Sequence, residues 1–165
     1  MSLLIRPSRD DDITSIAPIY AESVKTGTAS WEYEPPSVEE FAARRREILA
    51  KDFPYFVAEL DGNVIGYSYA SSYRSRIGYR FTVEDSVYVS PAAAGRGVGK
   101  ALLNRLIDAC REQDFCSMVA VIGDSNNRAS IALHEACGFH VVGVFPALGF
   151  KFDRWLDCVQ MMREI

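Results

Sequence analysis

The sequence has no apolar run approaching the roughly 18 residues that carry a helix across a bilayer, so no membrane span is expected. It also lacks a basic excess. Eighteen Lys and Arg against 22 Asp and Glu leave a net charge of −4, the wrong sign for a broad nucleic-acid footprint. Histidine is scarce, with two in the chain, and the four cysteines (Cys110, Cys116, Cys137 and Cys158) show no metal-like pair spacing. His134, Cys137 and His140 straddle a helix end and a strand, which is weak ligand geometry, so no metal is expected. The cysteines fall in apolar-periodic segments and read as reduced packing residues. The short apolar start is followed by polar residues 7–12, so no targeting peptide is visible and a cytoplasmic location is expected. Apolar residues make up 48% and charged residues 24% of 165 positions, which fits one globular domain over 1–165 with a substantial core.

What is present begins with Gly95-Arg96-Gly97-Val98-Gly99. This stretch follows the strand-like residues 85–90 and opens a helical pattern from Lys100 to Cys110. Glycines between a strand and a helix allow a tight turn that aims successive N–H groups outward, and the helix dipole adds to them. Such a turn suits a pyrophosphate. Two familiar phosphate loops are excluded by spacing. A Walker A loop needs glycine where Ala94 stands and Ser or Thr where Ala101 stands; a dinucleotide fingerprint needs glycine in place of Lys100.

Around this turn the chain reads as alternating elements. A short strand at Leu3–Arg6 precedes Asp10 to Asp12, cap carboxylates for a helix with the stripe Ile13, Ile16, Tyr20 and Val24. Pro18 inside that stripe predicts a kink or break. After an aromatic loop over residues 25–36, Ser37 and Glu40 form a capping box for a second helix through Ile48. Strands at Tyr55–Leu60 and Val64–Tyr73 flank the hairpin signal Asp61-Gly62. A basic loop at 74–80 leads to a strand over 81–90, and the helix after the glycine turn buries Leu102, Leu103, Leu106 and Ile107. A continuous apolar strand at Ser117–Ile122, a helix from about Asn127 to Gly138, and strands at Phe139–Phe145 and Trp155–Met162 complete a mixed α/β pattern.

With these segments in place, the chain resembles the GNAT superfamily of N-acetyltransferases, and within it the phosphinothricin and methionine sulfoximine acetyltransferase branch. The resemblance rests on Thr28-Ala-Ser-Trp-Glu32, Tyr55-Phe-Val-Ala-Glu59, residues 79–89, residues 119–123, Leu133-His-Glu-Ala136, Gly138-Phe139, Gly149-Phe-Lys151 and Trp155-Leu-Asp157. It implies an α/β fold with a mixed sheet of about seven strands, splayed in the middle, flanked by about four helices. It also implies acetyl-CoA as co-substrate in the split, transferring its acetyl group to the α-amine of a small amino acid or analogue. The superfamily usually has Gln or Arg where this chain has Ala94. That departure removes a side chain but no amide, leaving Arg96 or Lys100 to supply positive charge.

Site roles follow from the resemblance and from residue chemistry together. Gly95, Arg96, Gly97, Val98, Gly99 and Lys100 are expected at the pyrophosphate, Val87, Tyr88 and Val89 beside the pantetheine as a free strand edge, and Asn126 on the same arm. Asn126 and Asn127 could equally cap the following helix. Glu84 interrupts an apolar strand and matches the branch's general base, while His134, or else a tyrosine such as Tyr88 or Tyr79, would serve the departing thiolate. Arg74 and Arg76 would hold the acceptor's acidic groups, and Trp31 would wall its side-chain pocket. The branch further implies a homodimer through the C-terminal hairpin. Protein N-termini or polyamines as acceptors, or a CoA-binding regulatory module, are the competing readings.

Overall fold

β1 (Leu3–Pro7) runs through a tight 3-10 turn at Asp10–Asp12 into α1 (Ile13–Thr26), and α2 (Val38–Ala50) follows. Then come β2 (Tyr55–Leu60), β3 (Asn63–Ser72), β4 (Thr82–Val89), α3 (Val98–Glu112), β5 (Ser117–Ile122), α4 (Arg128–Ala136) and the hairpin β6 (His140–Lys151) with β7 (Arg154–Glu164). In this computed structural model, which describes residues 2–165, the strands form one seven-stranded sheet in the order β1-β2-β3-β4-β5-β7-β6. Every neighbouring pair is antiparallel except β4 and β5, which are parallel.

Alternation along β4 divides the molecule. Val83, Val87 and Val89 face α3, whose Leu102, Leu103, Leu106 and Ile107 are buried against Met118, Ala120 and Met161. Each fully buried leucine of that stripe contributes about 2 kcal/mol by removal from water. Tyr88 points to the other face, where Ile16, Tyr20 and Val24 of α1 and Phe41 of α2 pack on Tyr55, Val57 and Tyr67. By the same period of two, Glu84 shares the α1 face and Asp85 the α3 face.

The sheet is split at its centre. β4 pairs with β5 only through Thr82, Val83 and Glu84, whose partners are Ser117, Met118 and Val119. Beyond Glu84, β4 stays paired with β3 as far as Val89, and β5 stays paired with β7 as far as Ile122. The edges of Asp85–Val89 and Ala120–Ile122 that would have met are thus parted.

Four local expectations are corrected by the structure. Pro18 does not divide α1, which is one helix from Ile13 to Thr26. Pro18 and Thr14 both lie on the exposed side, so the Thr14 carbonyl left without a helical partner opens to water. The capping box at Ser37 is half formed. Ser37 Oγ accepts from the Glu40 amide at 3.1 Å, but the Glu40 carboxylate pairs with Arg44 instead of turning back. β6 extends well past its expected end at Phe145, to Lys151, because Pro146 is absorbed in an irregularity between Phe145 and Gly149 that leaves pairing intact on both sides. Cys116 is exposed at the turn before β5, whereas Cys110, Cys137 and Cys158 are buried packing residues.

Candidate active site

The turn after β4 places Gly97 at the N-cap of α3 with φ of 77°, and Gly95 has φ of 75°. Both angles lie in the left-handed region that disfavours a side chain. No side chain caps this helix, and the first α-helical bond to the turn is Ala101 N–H to the Gly97 carbonyl at 3.0 Å. The amides of Val98, Gly99 and Lys100 therefore point outward at the positive end of a 15-residue helix. A groove of about 610 Å³ runs from this turn along the free edge of β4, lined by Val87, Tyr88, Val89, Gly95, Gly97, Val98, Gly99, Lys100 and Asn127. It shares Ala29, Val87, Tyr88, Asn127 and Ser130 with a cavity of about 100 Å³ at the closed end of the split, which Glu84, Asp85 and His134 also line.

These features fit an extended amide chain ending in a diphosphate. A parted strand edge offers unpaired backbone groups to amides, and the uncapped helix end takes the anion. Among the described residues, no group of three or more His, Cys, Asp or Glu is gathered to hold a metal.

Glu84 sits half-buried at the last β4–β5 pair. Burial pushes its carboxyl up to about 7, the neighbouring Asp85 charge adds to the effect, and Arg74 opposes it. On the other face of β4, Asp85 and His134 form a buried pair, with His134 Nε2 2.8 Å from Asp85 Oδ2. His134 Nδ1 lies 2.7 Å from the Ser130 carbonyl, which can only accept, so Nδ1 carries a proton. Burial works against charging this imidazole, but the bonds to Asp85 and Ser130 outweigh it and hold its pKa above the ordinary histidine value. Asp85 Oδ1 is buried without a hydrogen-bond partner among the described residues.

The remaining expected residues divide. Arg74 and Arg76 line one shallow depression with Tyr73 and Tyr79, and the Arg74 guanidinium stacks 5.2 Å from the Tyr73 ring. Trp31 is not in the groove; its Nε1–H donates to the Gly123 carbonyl at 3.2 Å at the end of β5. Arg96 lies outside the groove too, beside Leu3, Leu60 and Val98. Asn126 is exposed, while Asn127 lines groove and cavity and its side chain accepts from the Ser130 amide at the start of α4. Asp85 was not expected from sequence; a second acid interrupting the apolar run, directly after Glu84, is the signal that marks it.

Comparison with known proteins agrees with this geometry. Residues 16–139 match the model of the acetyltransferase (GNAT) family. The chain is 50% identical to a phosphinothricin N-acetyltransferase of Alcaligenes faecalis, over 98% of this chain and 82% of that protein. It is 39% identical to an L-methionine sulfoximine/L-methionine sulfone acetyltransferase of Salmonella typhimurium, over 99% of this chain and 95% of that protein. A crystal structure of a GNAT superfamily phosphinothricin acetyltransferase from Sinorhizobium meliloti in complex with acetyl-CoA superposes with a TM-score of 0.96 at 48% identity, covering 100% of this chain and 89% of that one. The sheet split beside an uncapped helix end, the seven-stranded order and these matches agree: the chain belongs to the GNAT family of acetyltransferases.

Proposed function

We propose that this protein transfers the acetyl group of acetyl-CoA to the α-amine of a small amino acid or analogue, of the kind represented by phosphinothricin, methionine sulfoximine and methionine sulfone. The observation that carries the reading is the continuity of three features: the uncapped α3 terminus, the free β4 edge, and Glu84 at the closed end of the split. The amides at Gly97–Lys100 hold the diphosphate, with Gly95 shaping the turn and Lys100 supplying nearby positive charge. Val87, Tyr88 and Val89 pair with the pantetheine arm, and Asn126 or Asn127 closes over it at the start of α4.

Attack on a thioester needs a neutral amine, and an amino-acid ammonium must first lose a proton. Glu84 accepts it, directly or through water, and a carboxyl that titrates near neutrality is suited to taking a proton and passing it on. The amine nitrogen then bonds to the acetyl carbon and the carbon–sulfur bond breaks, leaving CoA thiolate. Two groups at the cavity can serve that thiolate. His134 brings the proton-bearing pair it forms with Asp85; Tyr88, whose hydroxyl burial keeps protonated, is the other. Arg74 and Arg76 offer forks to the acceptor's carboxylate or phosphinate oxygens. Transfer is direct, because no cysteine lines the cavity.

The same reading includes a homodimer formed through the β6–β7 hairpin. β6 is an edge strand, and Val142, Val144, Phe145, Leu148, Phe150 and Trp155 of this hairpin are all exposed, an apolar face that a monomer seldom leaves open. Four unpaired cysteines suit a reducing cytoplasm. The deciding experiment measures CoA thiol release from acetyl-CoA with a panel of amino acids, N-terminal peptides and polyamines. Release with phosphinothricin and methionine sulfoximine is expected. Release with none of the amino acids, or only with peptides or polyamines, rejects the proposed acceptor class.

A further inference from the structure

Lys151 is the last residue of β6, yet it is 3% exposed, and no carboxylate lies within ion-pair distance of it among the described residues. Its ammonium donates to three backbone carbonyls: Val24 at 2.7 Å, Gly27 at 3.0 Å and Ser30 at 2.6 Å. Those bonds account for all three protons of the ammonium. Two of the carbonyls belong to the C-terminal end of α1 and its cap, where the helix dipole is negative and favours a cation. The third belongs to the loop that carries Trp31. Burying a lone charge is expensive, so a lysine placed here implies a demand for three simultaneous anchors on one stretch of chain.

The other end of that stretch is gripped as well. Ser30 Oγ lies 2.9 Å from the Tyr20 hydroxyl and accepts from the Glu32 amide, and Tyr20 donates to the Glu32 carboxylate. Glu32 in turn takes a two-point bond from Arg44 of α2, at 2.7 and 3.0 Å. Between these anchors the Trp31 indole fills a slot between the end of β5 and β6, both on the same side of the split. A methyl group on Gly149 would come within 2.5 Å of the indole ring, and one on Gly123 within 2.6 Å of its Nε1. Gly149 and Lys151 are the two buried positions near the end of β6, two residues apart and so on one face of the strand. One makes room for the indole and the other holds the chain that delivers it. Ala29 of the same loop lines both the groove and the cavity that holds Glu84.

We propose that Lys151 is a positioning residue for the acceptor side of the site: its ammonium pins residues 24–30, and with them Ala29 and the Trp31 indole, so that the wall facing the amino acid is rigid before the acceptor arrives. A rigid wall lowers the ordering cost of binding and discriminates among side-chain lengths. The inference rests on the acetyl-transfer reading above, and it concerns acceptor binding rather than the acetyl-CoA groove.

The test compares Lys151→Met and Lys151→Gln with the unmodified protein, each in a Trp155→Phe background so that Trp31 alone reports by fluorescence. Lys151→Met is expected to raise the acceptor KM by about tenfold or more while the acetyl-CoA KM stays within about twofold. Its Trp31 emission should shift to the red, and its preference among phosphinothricin, methionine sulfoximine and methionine should flatten. Lys151→Gln, which retains donors, should fall between. Equal changes in both KM values, or a fall in kcat with the acceptor KM unchanged, overturns the proposal. Should neither Lys151 variant fold, Gly149→Ala carries the test, since it leaves the ammonium in place and displaces only the indole. An unchanged acceptor KM in folded Gly149→Ala is then the overturning result. Failure of the acetyl-transfer reading is separately visible, as absence of thiol release by the unmodified protein.

Discussion

Glu84 and Asp85 show how one peptide bond can separate two chemistries. Adjacent in sequence, they face opposite sides of β4, and only Asp85 has a cationic partner in contact. Glu84, half-buried and without one, stays protonated to about pH 7. As the proposed base it must be deprotonated before the amine arrives, so kcat/KM should fall about tenfold per pH unit below that value. Glu84→Gln should abolish this acid limb and lower kcat by about 100-fold or more, with little change in the acetyl-CoA KM. A pH–rate profile that keeps its acid limb in the variant assigns the limb to another group. The Asp85–His134 pair makes a stability prediction of its own. The folded pKa of His134 is raised, so its stabilisation is complete below the ordinary histidine pKa and is lost as pH rises through the folded value. Asp85→Ala, which strands the imidazole, should destabilise the protein by about 3 kcal/mol, with the deficit largest in mild acid and shrinking at alkaline pH. Thermal unfolding across pH measures it.

At the scale of elements, the decisive junction is β4 to α3. Gly97 stands at the helix N-cap in the left-handed region, with open space around the position where a Cβ would stand. Gly97→Ala should therefore cost about 1–2 kcal/mol of backbone strain and not a steric clash. Relief of that strain would re-aim the amides of Val98–Lys100, so the acetyl-CoA affinity should drop while the acceptor KM is unaffected. Calorimetric titration of CoA is the direct measurement. This signature is the inverse of the one expected for Lys151, because Gly97 shapes the acetyl-CoA groove whereas Lys151 is proposed to act on the acceptor side. The interruption of β4–β5 pairing after Glu84 is the other element-scale device: it leaves strand edges for a ligand that continued pairing would consume.

For the whole molecule, the sheet has two edges of different character. β1 is short, whereas β6 is 12 residues long and carries the exposed apolar side chains. If that face closes a homodimer, introducing two charges with Phe145→Glu and Leu148→Glu should yield a monomer in sedimentation velocity. A pair of charges in the middle of an apolar contact is not compensated by the remaining area. Sedimentation of the unmodified protein as a monomer at micromolar concentration would reject the dimer.

Local rules made part of this protein legible in advance. Asp61-Gly62 marked the β2–β3 hairpin, the leucine stripe marked α3, and the glycine turn was readable because positive φ is a property of single residues. Alternation placed Glu84 and Val87 on opposite faces of one strand. Where a neighbour distant in sequence decides, the chain alone was silent. His134 meets Asp85 across 49 residues, and Lys151 meets Ser30 across 121. Trp31 reads as a pocket wall, but its slot exists only because Gly123 at the end of β5 and Gly149 in β6, 26 residues apart in sequence, lack side chains where the indole packs. Pro18 is tolerated because its helix turns that side to water, and Asn127 rather than Asn126 reaches the groove because a turn rotates between them. Sequence by itself determined the elements, their faces and the anion-ready helix end, since those follow from backbone preferences and periodicity. The meeting of Glu84, Asp85 and His134 at the split, and of the Trp31 loop with Gly149 and Lys151 of β6, was decided only by tertiary packing, which selects partners by proximity in space and burial from water.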